Sequence, residues 1–192
     1  MRVEDIKRIC IDPGHGGKDP GAVDHGICEE DFNLIIGSLV AAQLRQLMFS
    51  VVQTRAFDQH LDEVKSKDLQ ARCDMANVNK CDLFVSIHAN AAEQDKAEGF
   101  EVFYSSDAGR AAAEYVLTWF KQFFPTHKIR GIKKTGGLYV LNQTDMPAIL
   151  IEGGFITNPA ESEFLKDAKQ QVMFATCVSQ GIYQFFNNKK GE

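Results

Sequence analysis

Asp82-Leu83-Phe84-Val85-Ser86-Ile87-His88-Ala89-Asn90 is an apolar run that ends in polar chemistry. Leu83 to His88 is short and apolar at both odd and even positions, so it reads as a strand buried on both faces, the kind a parallel sheet covered by helices contains. Working outward, Ala148 to Glu152 has the same character. Arg8 to Asp12 is a third such run, stopped by Pro13 and Gly14. Val51 to Thr54, the alternating Gly99 to Tyr104 and the short Leu138 to Leu141 bring the predicted strands to six. Between them lie helical patterns. Asp31 to Met48 carries Phe32, Leu34, Ile35, Leu39, Leu44 and Leu47 at helical spacing behind an acidic start. Leu69 to Val78, Ala108 to Phe124 before Pro125, and Phe164 to Phe186 supply the others. Strands alternating with helices in this way predict an α/β fold in a single domain: an open, mostly parallel six-stranded twisted sheet with helices on both faces. The loops at 13–28, 57–67, 90–98 and 125–137 are the places for specificity.

A length of 192 residues with 44% hydrophobic content suffices for one buried core. The net charge is −5, and no basic block is long enough to track phosphates, so nucleic acid is excluded as an expected partner. The local cluster Lys128, Arg130, Lys133 and Lys134 reads as a solvated loop in preference to a site for substrate carboxylates. No run approaches the roughly 18 apolar residues of a membrane helix, and Met1 to Arg8 lacks the apolar centre of a signal peptide. Five cysteines, Cys10, Cys28, Cys73, Cys81 and Cys177, show no C-x-x-C spacing, so neither a disulfide framework nor a zinc knuckle is expected. Cys10 and Cys81 read as small core residues, whereas Cys28 neighbours a candidate ligand, Glu29.

The polar residues gather at predicted strand ends. Asp12-Pro13-Gly14-His15-Gly16-Gly17, Ser86-Ile87-His88-Ala89-Asn90 and Ile151-Glu152-Gly153-Gly154-Phe155 each close an apolar run, and Cys28-Glu29-Glu30-Asp31 opens the first helix. In open α/β sheets ligands collect at the carboxyl ends of strands, so neighbouring parallel strands would bring these side chains to one rim. Two histidines and a carboxylate, with a position left for water, form a common hydrolytic zinc set, and a further glutamate can act as base. The glycines beside His15 and Glu152 permit sharp turns and close approach of a partner. His25, His60 and His127 lack such surroundings and read as ordinary surface or core histidines.

At this point the chain resembles a family. Ile11 to Gly17 with Gly21-Ala22, Glu29-Glu30-Asp31-Phe32-Asn33-Leu34, Val52-Gln53-Thr54-Arg55, Asp82 to Asn90, and Tyr139-Val140-Leu141 followed by Met146 to Phe155 and Asn158 occur in order. They resemble the motifs of zinc-dependent N-acetylmuramoyl-L-alanine amidases, amidase type 3, and the match covers roughly residues 7 to 187 of a single catalytic domain spanning 1–192. The resemblance implies hydrolysis of the amide between N-acetylmuramic acid and L-alanine in bacterial peptidoglycan. It implies one Zn²⁺ per chain held by His15, Glu29 and His88, with Glu152 as catalytic base and acid toward a zinc-activated water. Glu29 is preferred to Glu30 because it aligns with the first acidic residue of the helix-start motif, and adjacent helical residues point about 100° apart. Asn90 is a candidate hydrogen-bond donor to substrate, and Arg55 either holds a peptide carboxylate or makes an interior contact.

Some members of the family carry a helical insertion that plugs the site until an activator removes it. Here 63 residues separate His88 from Glu152, all used by predicted strands and helix or loop passages, so no plug is expected. The resemblance implies peptidoglycan as partner, no transmembrane segment, a monomer, and action as an autolysin or lysin. The expected location is secreted, periplasmic or cell wall after trimming of a precursor, or else the cytosol of a phage-type lysin released through a holin. Two other functions fit the residues less well: a zinc carboxypeptidase-like peptidase and a non-catalytic wall-binding regulator.

Overall fold

The computed structural model describes residues 6–188. Most of the segment read for an export signal, residues 1–5, lies outside them. The order of elements is β1 (Arg8–Pro13), β2 (Val23–Asp24), β3 (Ile27–Cys28), α1 (Glu29–Gln46), β4 (Ser50–Gln53), α2 (Lys65–Val78) and β5 (Leu83–Asn90). There follow β6 (Phe100–Tyr104), α3 (Asp107–Phe123), β7 (Ile129–Lys134), α4 (Tyr139–Asn142), β8 (Ala148–Phe155), α5 (Pro159–Lys166) and α6 (Ala168–Asn188).

Six strands form one sheet in the order β4-β1-β5-β8-β6-β7, and a separate hairpin pairs β2 with β3. All neighbouring pairs of the large sheet are parallel except β6 with β8. The predicted mostly parallel, six-stranded α/β sheet is therefore the observed one. The chain moves from β1 outward to β4 and then returns to the other side of β1 to form β5. That reversal makes a switch point, and the crevice between the carboxyl ends of β1 and β5 is where such sheets bind ligands.

Side-chain alternation divides the sheet into two faces. Ile9, Ile11, Leu83, Val85, Ile87, Ile149 and Ile151 join α1, α3 and α6 in the larger core. Cys10, Phe84 and Leu150 face the other way, onto α2 and α4 through Cys73, Ala76, Val140 and Leu141. With α4 only four residues long, the second face is thinly covered near the rim, and a cavity opens there. The larger core is closed by aromatic rings: Phe174 packs 4.7 Å from Phe120, 5.9 Å from Phe100 and 6.0 Å from Phe32, centroid to centroid. Phe174→Ala is expected to cost about 3–5 kcal/mol through lost burial and a residual cavity, measured as a lower urea midpoint.

Four boundaries differ from the sequence reading. Leu138 to Leu141 is not a strand; Tyr139–Asn142 forms the short helix α4, since a four-residue apolar run carries no period that separates strand from helix. The sixth strand is instead β7, within the stretch 125–137 read as a loop. Its Arg-Gly-Ile-Lys-Lys composition is that of a charged edge strand, which blunts an open sheet edge. Phe164 to Phe186 is not one helix: Asp167, extended at ψ 119°, ends α5, and its carboxylate accepts from the N–H groups of Lys169 and Gln170 to cap α6. The 13–28 loop, finally, contains the β2–β3 hairpin.

Candidate metal centre

His15 follows β1, His88 lies near the end of β5 and Glu29 opens α1, so the switch point and the first helix bring them together. Potential ligand atoms of His15, Glu29 and His88 all lie within 4.8 Å of one another. Glu29 is the hub: its Oε1 is 3.2 Å from His15 Nε2 and 2.9 Å from His88 Nδ1. The other oxygen, Oε2, accepts from the Ala22 N–H at 2.9 Å, which fixes the carboxylate's rotation. Two backbone bonds lock the loop to the helix start, Glu29 N–H to Ala22 O at 2.9 Å and Glu30 N–H to Pro20 O at 3.1 Å. They satisfy donors that a helix N-terminus leaves free.

Close packing explains the small residues around the triad. A Cβ on Gly14 would lie 2.1 Å from His88 Cε1, and one on Gly21 would lie 2.5 Å from Glu29 Oε2. His15 Nδ1 lies 3.1 Å from Asp19 Oδ2. A carboxylate near the outer nitrogen of a ligating histidine raises its basicity, and although His15 Nδ1 is not aligned for a hydrogen bond to Asp19, this placement of charge fits a metal ligand. Two imidazoles and a carboxylate also match the donor types zinc takes at catalytic sites. Burial opposes charge on Glu29, yet His15 and His88 hold its carboxyl far below the usual range. Burial likewise works against His15⁺, but Glu29 and Asp19 raise its imidazole.

Glu152 is the register partner of His88 on one side and of Glu101 on the other. Its Oε2 is buried and has no hydrogen-bond partner. Burial, then the negative charges of Glu29 and Glu101, push its carboxyl well above the ordinary value. A buried, unpaired carboxyl beside a ligand cluster is a candidate proton carrier.

Several sequence expectations change in place. Asn90 Nδ2 donates one of its two hydrogens to Glu101 Oε1 at 2.8 Å. The basic cluster is only partly a solvated surface, because Arg130 Nε donates to Glu101 Oε2 at 2.6 Å and Lys133 pairs with the same oxygen. Arg55 takes the interior option, donating to the carbonyls of Pro13, Gly14 and Glu30. Glu30 turns away from the triad, toward Asp58 and Arg55. Cys28 also stays out of it; its thiol lies 3.3 Å from Pro20 O. All five cysteines are free, and burial pushes Cys73 and Cys177 up to about 12, which leaves them inert at neutral pH. His127, half-buried, stacks on Phe100, whereas His60 lines the cavity beside the triad.

That cavity, about 570 Å³, runs from His15 and His88 between the 57–64 loop, α2 and α4, with Leu69, Leu138, Tyr139, Val140 and Leu150 as apolar lining. Three polar residues of the site were not singled out from the sequence. Asp19 is one helical turn's spacing past His15 in a glycine loop and gives no signal. Arg72 falls on the buried stripe of α2 with Leu69, Cys73 and Ala76, and an arginine at such a position is a signal. Glu101 alternates with Phe100 and Val102 in β6, a carboxylate inside a buried strand.

The sequence profile of N-acetylmuramoyl-L-alanine amidases matches residues 9–184. The germination-specific N-acetylmuramoyl-L-alanine amidase of Bacillus subtilis is 31% identical over 193 residues, covering 95% of this chain and 81% of that protein. The endolysin of Bacillus phage SPP1 is 34% identical over 191 residues, covering 96% and 68%. Among solved structures, the N-acetylmuramoyl-L-alanine amidase AmiC2 of Nostoc punctiforme superposes with a TM-score of 0.88 at 37% identity, covering 94% of this chain and 97% of that one. With most of its length matched by the profile and its sheet by the solved structure, the chain belongs to the N-acetylmuramoyl-L-alanine amidase family.

Proposed function

We infer that this chain hydrolyses the amide between N-acetylmuramic acid and L-alanine in peptidoglycan, with zinc held by His15, Glu29 and His88 and proton transfer by Glu152. The observation that carries the reading is the convergence of His15 Nε2 and His88 Nδ1 on one oxygen of Glu29, with Glu152 one strand away from His88. When bound, zinc supplies Lewis acidity toward water and toward the scissile carbonyl. Glu152 Oε2 takes a proton from the attacking water and delivers it to the departing L-alanine nitrogen, so that the nitrogen leaves as a neutral amine. Its burial makes Glu152 a stronger base than an exposed carboxylate. Asn90, Arg130 and Lys133 hold Glu101 in place beside it. The cavity between α2 and α4 takes the substrate next to the bond that breaks.

Residues 1–192 act as one catalytic domain, outside the cytoplasmic membrane where the substrate lies. Among the described residues no helix is long and apolar enough to cross a membrane. Between His88 and Glu152, α3 packs against the opposite face of the sheet, and α4 forms a wall of the cavity; neither supports a plug over the triad. The zinc-loaded protein alone is therefore expected to digest purified sacculi. The products are stem peptides with a new L-alanine amino terminus, identified by mass spectrometry and amino-terminal labelling. Single amino acids released from peptide carboxyl ends would point instead to a peptidase, and zinc-loaded protein that is inert until a partner protein is added would refute activity without an activator.

A further inference from the structure

His15 carries its side chain on a left-handed backbone, with φ of 61°. That conformation is uncommon for a non-glycine residue, although His25, Met48 and Lys80 also adopt it, and at His15 the surroundings hold it in place. The surroundings here are two buried guanidinium groups beneath three successive carbonyls. Pro13 O accepts from Arg55 Nε at 2.9 Å and Arg72 Nη1 at 2.8 Å. Gly14 O accepts from Arg55 Nη2 at 3.0 Å and Asn33 Nδ2 at 3.2 Å. His15 O accepts from Arg72 Nη2 at 2.7 Å.

Arg72 is the one of the two that touches His15 itself, and it is held rigidly. Only 3% exposed, it donates through Nη1 to Asp12 Oδ1 at 2.9 Å and through Nε to Asp68 Oδ2 at 2.7 Å. Asp12 is fixed in turn by Thr54 Oγ1 and Ser86 Oγ, each at 2.7 Å. Thus a chain of bonds runs from Thr54, just past β4, and from Ser86 in β5 through Asp12 and Arg72 to the His15 carbonyl. A buried ion pair repays its desolvation poorly as a source of stability, whereas a planar fork with several fixed donors suits the holding of several acceptors in one geometry.

We propose that Arg72 is a positioning residue of the metal site: by fixing the His15 carbonyl it holds the left-handed turn that aims His15 Nε2 at Glu29 and His88. The proposal rests on the reading of those three residues as metal ligands. A lysine at the position keeps the positive charge near Asp12 but, with a single ammonium, cannot span Asp12, Pro13 O and His15 O together.

Zinc affinity measured by competition with a chromophoric chelator, and the visible absorption spectrum of the Co²⁺-loaded protein, test the proposal without recourse to activity. Arg72→Lys, folded by circular dichroism, is expected to bind zinc about 10- to 100-fold more weakly than wild type and to give an altered Co²⁺ spectrum. Should Arg72→Lys not fold, Asp68→Asn serves instead; it weakens the hold on Arg72 Nε, leaves the Arg72–Asp12 pair intact, and is expected to lower zinc affinity several-fold. Wild-type affinity and spectrum in folded Arg72→Lys, or unchanged zinc affinity in Asp68→Asn where the lysine variant does not fold, overturns the proposal while leaving the ligand set standing. A wild-type protein that binds no zinc overturns the ligand set and the proposal together.

Discussion

Glu152→Gln is expected to lower the rate of amide cleavage by about 10³-fold, within the range of about 10²–10⁴ that general acid–base catalysis supplies, while zinc affinity stays at the wild-type level. Glutamine keeps the volume and planar shape of the side chain but cannot take a proton from water. The position is suited to such a test because Glu152 Oε2 has no hydrogen-bond partner to lose, and because the proposed ligand atoms belong to other residues on β5, α1 and the loop after β1. A general destabilisation of β8 would instead lower thermal stability and zinc affinity together. The informative pattern is therefore a selective loss of turnover, read from single-turnover kinetics on a muramyl peptide beside a zinc titration. A variant with zinc bound and a wild-type rate would remove Glu152 from the chemistry.

Glu29→Gln and Glu30→Gln form the second pair. The two residues are adjacent at the start of α1, yet Glu29 is 5% exposed with both oxygens engaged, whereas Glu30 faces Asp58 and Arg55. Loss of a residue that merely orients a ligand already costs about 10–100-fold in metal affinity. Removing the carboxylate that meets both histidines is expected to cost at least roughly 100-fold on that scale, and activity should fall with it at limiting zinc. Glu30→Gln should bind zinc as wild type does. Isothermal titration of both variants against zinc reads the difference directly, and equal weakening in the two would show that the helix start, not the Glu29 carboxylate, is what the site requires.

Much of this arrangement is legible in the sequence because chemistry and fold punctuate the chain at the same places. Leu83 to His88 and Ala148 to Glu152 are apolar runs that read as interior strands and prove to be so, and each ends in a residue of the site. Glu29 and Glu30 point in different directions from the start of α1, the first to the histidines and the second to Asp58 and Arg55. What the sequence hides is whatever depends on long-range partners. Lys133 and Arg130 look like loop charges until β7 pairs with β6 and sets Glu101 beneath them. The bond from Asn90 to the same carboxylate, 11 residues on in the chain, is equally hidden from a local reading. Arg72 lies 57 residues from His15 in the chain, and no local pattern announces that a helix on one face of the sheet holds a loop at its rim. Leu138 to Leu141 is the reverse case, four apolar residues whose packing against Cys73 and Ala76, not their order, decides for helix.

The division of labour between Glu29 and Glu152 is tested most directly by a crystal structure of the zinc-loaded protein with anomalous data at the zinc edge. The expected result is one ion with His15, Glu29 and His88 at about 2.0–2.2 Å, and the Glu152 carboxylate near it without coordinating. An ion coordinated by Glu152, or by Glu30 or Cys28 in place of Glu29, would contradict it.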